Sequence, residues 1–357
     1  MGRTFFEPAT CLRKIPLEKA VGTVLAHDIT EVRPGEFRGP AFRKGHIVCE
    51  QDICHLQRLG KESLFVLEIS EDEMHEDDAA IALARALSGK GVAMKGEPRE
   101  GKVHIVAETD GLLKINRKAL LGFNLVGDVA CATLHDNTVV SRGQVVADTR
   151  AIPLIVAKET IRLAAGISEA AGRIISVREF RKPRAGILIT GNEIYYGRIN
   201  DAFAGVISAK IEAYGGEIIG IRFSPDEETM IEEGLRELIG AGADLLITTG
   251  GMSVDPDDVT RFAIQNLGAK EIAYGSAVSP GAMFLSAWLE GEGDKPPIPV
   301  LGIPACALHS TTTVFDLVLP RVLAGEKIGR EELAELGHGG LCLKCGVCTY
   351  PVCPFGK

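Results

Sequence analysis

From Gly186 to Leu323 short apolar runs alternate with stretches whose apolar residues recur at helical spacing, and this constrains the fold of the 357-residue chain more than any other feature. Strands are expected over 186–190, 217–223, 244–248 and 300–303. Between them Phe203, Val206, Ile207, Ile211 and Tyr214 share one helical face, and Met230, Ile231, Leu235, Leu238 and Ile239 share another. Ser224, Pro225 and Glu227 supply a cap, a first-turn proline and a capping-box acid for the second of these helices. Further helices are expected over 256–267 and 307–323. Strands alternating with amphipathic helices imply right-handed crossovers, hence an α/β, three-layer domain with a mainly parallel sheet. Ligands bind such sheets beyond the carboxyl ends of the strands, so the loops after Thr190, Thr248 and Ile303 are the ones to search.

The rest of the chain divides less regularly. Residues 1–69 read as a β-rich part, with strands at 21–26 and 46–49 and a helix at 52–59. Residues 70–180 form a mixed α/β part that opens on an acidic run at 70–78, continues with a helix at 77–87, and carries strands at 103–107 and 126–133. The α/β domain takes 181–330, and a cysteine-rich tail takes 331–357. Aromatic residues are only 5% and the net charge is −9, which argues against a nucleic-acid partner. The uncharged stretches 272–289 and 296–315 are interrupted by Pro and Gly, so neither reads as a membrane span. The first residues lack a secretory pattern, and the chain is expected to be cytoplasmic.

Three segments could carry chemistry. Thr248-Thr249-Gly250-Gly251-Met252-Ser253 follows a strand and precedes a helix, where paired glycines let backbone N–H groups approach an anion. Asp255, Pro256 and Asp258 behind it fit a helix cap, or Asp258, Asp257 or both could face Mg²⁺. Thr190-Gly191-Asn192-Glu193 ends the first strand, and Asp201 starts the next helix. Glu193, Asp201 and Asp258 would therefore gather at one edge of the sheet.

Taken with Gly197 to Asp201, with Ser279-Pro280-Gly281 and with Leu301-Gly302-Ile303-Pro304, these segments resemble the molybdopterin-binding domain of molybdenum-cofactor biosynthesis proteins. Order and spacing are most similar to the MoeA-type molybdenum-insertion proteins, over about residues 184–325, with a looser likeness over 12–67. The resemblance implies a molybdopterin, adenylylated or not, whose phosphate is cradled by Thr249, Gly250, Gly251 and Ser253. Thr190, Gly191, Ser279, Pro280, Gly281, Gly302 and Pro304 would complete the pterin site. Asp258, Asp201 and Glu193 would be the catalytic acids, with Asp201 and Asp258 holding Mg²⁺ beside molybdate. A homodimer and a molybdoenzyme apoprotein as partner are also implied. Ser279-Pro280-Gly281-Ala282 replaces a Lys-Pro-Gly-Lys type segment, and Pro304-Ala305-Cys306-Ala307 replaces a Pro-Gly-Asn-Pro turn. Losing the two lysines weakens metal insertion more than pterin binding, so a non-catalytic carrier or sensor is the alternative. A nucleotide pyrophosphatase of the competence-damage type is a third reading.

Outside this resemblance, Cys342, Cys345, Cys348 and Cys353 form a C-x₂-C-x₂-C-x₄-C run followed by Pro354. Four thiolates so close suit Zn²⁺ or an iron–sulfur cluster equally well by spacing. Cys11, Cys49, Cys54 and Cys131 read as packing residues.

Overall fold

The computed structural model describes residues 13–33, 36–67, 69–252, 258–291, 293 and 295–357. The chain forms two compact units: Met1–Thr109, Leu113–Leu134 and Val140–Val177 in one, and Asp110–Leu112, His135–Val139 and Arg178–Lys357 in the other.

The first unit begins with a small antiparallel sheet of Arg13–Pro16, Ser63–Leu67 and Val24–Leu25, a hairpin of Ile29–Arg33 and Phe37–Phe42, and the helix Glu50–Arg58. Leu25, Leu56 and Val66 are fully buried at its centre. The strand expected over 46–49 is present as a single bridge, Ile47 pairing antiparallel with Val24, and the helix follows at once. Asp52 Oδ2 accepts the Cys49 N–H at 2.8 Å and lies 2.7 Å from His46 Nε2, which caps that helix. Cys49 and Cys54 are exposed rather than packed, whereas Cys131 is buried; Cys11 lies outside the described residues. The unit continues with a four-stranded antiparallel sheet, ordered Val129–Thr133, Val145–Ala151, Lys102–Ala107 and Val92–Arg99. The helices Glu76–Leu87, Arg117–Asn124 and Lys158–Ala170 close a core around Leu83, Ile105 and Phe123.

The second unit is organised by a six-stranded sheet: β1 (Arg184–Thr190), β2 (Glu217–Ser224), β3 (Leu245–Thr249), β4 (Lys270–Tyr274), β5 (Leu285–Leu289) and β6 (Ile298–Ile303). Its order is β2-β1-β3-β6-β5-β4. The joints among β2, β1, β3 and β6 are parallel, whereas β5 and β4 add an antiparallel edge. The sheet expected to be mainly parallel is thus mixed, and the sheets of the first unit just described are small and antiparallel. Among the helices of this unit, α1 (Phe203–Glu212), α2 (Glu228–Gly240), α3 (Thr260–Asn266) and α4 (Val314–Leu323) pack on the sheet. Strand residues alternate between two cores. Ile187, Ile189, Ile247 and Ile303 pack with α1 and α4, and Leu188, Leu246, Leu285 and Val300 pack with α2 and α3.

Two helix boundaries differ from expectation. α2 opens at Glu228, because Ser224 completes β2 and donates its hydroxyl to Pro225 O, while Asp226 accepts from Asn192 N–H. The helix expected over 307–323 is split into a 3₁₀ turn at Ala305–Leu308 and α4. Thr313 caps α4 by accepting from Phe315 N–H, and Asp316 accepts from Thr313 N–H in return. Among the described residues no helix is long and apolar enough to cross a membrane.

The cysteine-rich tail packs on the second unit. Phe355 is 3% exposed in the core that holds α4, and Tyr350 donates its hydroxyl to Asp316 O at 3.2 Å. Phe355→Ala should therefore lower the unfolding free energy by about 3–5 kcal/mol. Urea unfolding of the full chain checks this, and an unchanged midpoint would show a tail that contributes nothing to the fold.

Candidate functional site

The pairs Ile189–Thr249, Thr249–Ile303 and Gly302–Leu285 bring the carboxyl ends of β1, β3 and β6 and the start of β5 to one edge of the sheet. At this edge β3 runs into a turn at Gly250 (φ 81°) and Gly251 (φ 55°), both in the left-handed region that glycine adopts without a steric penalty. Space makes the same demand. A Cβ on Gly250 would lie 2.2 Å from Thr190 O, and one on Gly251 would lie 2.4 Å from Thr260 Oγ1.

Two hydroxyls strap the turn in place. Thr190 Oγ1, at the end of β1, donates to Thr249 O at 3.1 Å. Thr260 Oγ1, in the first turn of α3, donates to Gly250 O at 3.2 Å. Tyr274, at the end of β4, donates to Met252 O at 2.7 Å. Thr190 and Thr249 are almost wholly buried, whereas Gly250 and Gly251 are half-buried. The threonines are therefore the frame, and the glycine backbone is the part a ligand reaches.

The acids do not converge on one ion. Asp201 is a helix cap: its two oxygens accept the N–H groups of Phe203 and Ala204, each at 2.9 Å. Glu193 is exposed in the one-turn helix Asn192–Tyr195. Asp258 is half-buried just ahead of α3 and acts on Tyr274: burial pushes that phenol up, the Arg261 guanidinium opposes the rise, and Asp258 adds to it. Among the described residues no three His, Cys, Asp or Glu side chains gather to hold a metal ion. Of the pair expected to hold Mg²⁺, Asp201 has both carboxylate oxygens engaged by the start of α1. Ser253, Asp255, Pro256 and Asp257 lie outside the described residues.

The remaining expected residues play different parts. Gly191 is buried at the head of the Asn192–Tyr195 turn. Gly302 is a packing glycine, since a Cβ there would lie 2.4 Å from Met252 Cε. Pro304 is buried and accepts the Ala307 N–H that starts the 3₁₀ turn. Cys306 beside it is half-buried, and burial pushes its thiol up. The Ser279–Pro280–Gly281 loop is anchored by Ser276 Oγ, which donates to Gly281 O at 2.9 Å, and by Val314 N–H, which donates to Pro280 O at 3.2 Å. Cys342, Cys345, Cys348 and Cys353 line a separate cavity that Pro280 also borders.

Sequence reasoning missed Thr260, Arg261 and Tyr274. The Arg261 guanidinium lies 4.8 Å from the Phe262 ring centre and 5.5 Å from that of Tyr274. Its Nε is buried without a hydrogen-bond partner among the described residues, so a cation with an unused donor stands behind the glycine turn. Thr260→Val removes one strap and leaves Gly250 O unpaired. It should destabilise the protein by about 1–3 kcal/mol in thermal or urea unfolding, and an unchanged stability would contradict the strap.

Comparison with known proteins covers parts of the chain. A CinA-like protein of Mycolicibacterium vanbaalenii is 35% identical over 95 residues, 27% of this chain and 22% of that protein. A protein of Pyrobaculum aerophilum is 40% identical over 79 residues, 22% of this chain and 29% of that one. The chain thus spans about a fifth of the first of these relatives and under a third of the second. Among solved structures, the molybdopterin biosynthesis enzyme MoaB of Thermus thermophilus is similar with 22% identity, coverage of 40% of this chain and 98% of that one, and a TM-score of 0.34. Residues 14–68 match a domain of unknown function. Residues 186–324, which carry the strapped glycine turn, match the family described as a probable molybdopterin binding domain.

Proposed function

We propose that the second unit binds molybdopterin, with the backbone N–H groups of Gly250 and Gly251 holding its terminal phosphate. The observation that carries this reading is the turn itself. It is half-exposed at the carboxyl edge of the parallel strands, it is locked by two hydroxyls, and it lies inside the segment that matches the molybdopterin-binding family. A pre-set turn holds an anion without an ordering cost at the moment of binding. Arg261 supplies positive charge against the phosphate, and Tyr274 fixes the end of the turn through Met252 O.

Binding is better supported than molybdenum insertion. Insertion calls for molybdate and Mg²⁺ beside acids, yet Asp201 is committed to capping α1, and the lysines of the related segment are replaced by Ser279 and Ala282. The protein is accordingly read as a molybdopterin carrier or sensor.

Calorimetry of the full chain with molybdopterin tests this. We expect saturable binding that Arg261→Gln and Gly250→Ala each weaken about tenfold or more, a loss of at least about 1.4 kcal/mol. Gly205→Ala, where an added Cβ meets nothing within 4 Å, should bind as the parent does. Absence of binding by the parent, or equal affinity in parent, Arg261→Gln and Gly250→Ala, would overturn the assignment. Adding molybdate and Mg²⁺ should leave the bound pterin free of molybdenum; conversion that is lost in Asp258→Ala would establish insertion instead.

A further inference from the structure

The four cysteines of the tail share one cavity as well as one run of sequence. Cys342, Cys345, Cys348 and Cys353 all line one cavity of about 380 Å³, together with Pro280, Thr312 and Pro354. Cys345 and Cys348 are exposed, while Cys342 and Cys353 are half-buried against the core of the second unit. Because Tyr350 is bonded to Asp316 O and Phe355 is buried, the chain between Cys348 and Cys353 is folded back, and this returns the fourth thiol to the cavity of the first three.

Among the described residues no three His, Cys, Asp or Glu side chains are gathered as a group that could hold a metal ion, so the four thiols would close on a metal only as it binds. The first three cysteines follow the spacing of bacterial iron–sulfur runs, in which the fourth cysteine can serve a second cluster. Here the fourth is brought back to the same cavity, so one cluster has its full set of ligands.

We propose that Cys342, Cys345, Cys348 and Cys353 hold a four-iron, four-sulfide cluster. Each thiol loses its proton and its sulfur bonds one iron. Assembly from equal parts of ferrous and ferric iron, with one sulfide per iron, balances without a further oxidant or reductant. The cluster would stand beside the Ser279–Pro280–Gly281 loop, because the tail pairs with it through the backbone: Ser279 N–H donates to Gly340 O and Cys342 N–H donates to Ser279 O, each at 2.8 Å. The inference rests on the cysteines and their cavity and does not require that the glycine turn binds a pterin.

The test is anaerobic reconstitution of the full chain with ferrous iron, ferric iron and sulfide, alongside a parallel sample given zinc alone. We expect equal uptake of iron and acid-labile sulfide, a broad visible absorption bleached by dithionite, and a paramagnetic signal from the reduced cluster. Cys345→Ser and Cys348→Ser should each lose most of the bound iron, whereas Cys49→Ser, at an exposed thiol of the other unit, should retain it. Iron bound without sulfide, tight binding of zinc alone, or uptake unaffected by either tail variant would overturn the cluster. Molybdopterin binding measured on the same samples reports separately on the glycine turn, so failure of one assignment is told apart from failure of the other.

Discussion

The second unit depends on a contact that only glycine permits. At the edge of a sheet buried on both faces, the chain leaving β3 must pass within 2.2 Å, measured from a would-be Cβ, of the Thr190 carbonyl. Without side chains at 250 and 251, the Thr190 and Thr260 hydroxyls reach the backbone and fix the turn. With a side chain there, β1, β3 and α3 could not close in this way. The same pressure continues into the sheet, where Gly302 gives way to Met252, and Met252 O is held by Tyr274. The turn is thus a product of the core packing beneath it, and that packing is what makes it rigid enough to present its amides.

A net charge of −9 does not by itself decide what the sheet edge attracts. Acidic side chains near the edge are largely occupied with structure. Asp201 caps α1, Asp226 accepts from Asn192 N–H, and Asp316 caps α4 while pairing with Lys210. Their charge is partly offset by helix N-termini, which favour acids. Arg261 stays beside Tyr274 with its buried Nε unpaired among the described residues. Local geometry, rather than net charge, decides what the edge attracts.

The apolar alternation from Gly186 onward was readable because strands buried on both faces have near-continuous apolar runs, while amphipathic helices keep a 3.6-residue period. The edge strands β4 and β5 escaped for the converse reason. β5 wholly and β4 from Ile272 on lie in an uncharged stretch broken by Pro280 and Gly281, where no period distinguishes strand from helix. Asp201 was legible as a cap, because an acid one or two residues before a helix is a local signal. Thr190 and Thr260 were invisible as partners, since they stand 70 residues apart and meet only when β1 and α3 pack together. The cysteine run was plain from its spacing, but only the folding of Tyr350 and Phe355 onto the core shows its four thiols facing one cavity.

A diffraction structure of the full chain with molybdopterin bound tests the central claim most directly. The account expects phosphate oxygens within hydrogen-bond distance of the Gly250 and Gly251 nitrogens, with the pterin lying along the edge formed by the ends of β1, β3 and β6. A pterin seated away from this edge, with the glycine turn unchanged and untouched, would contradict it.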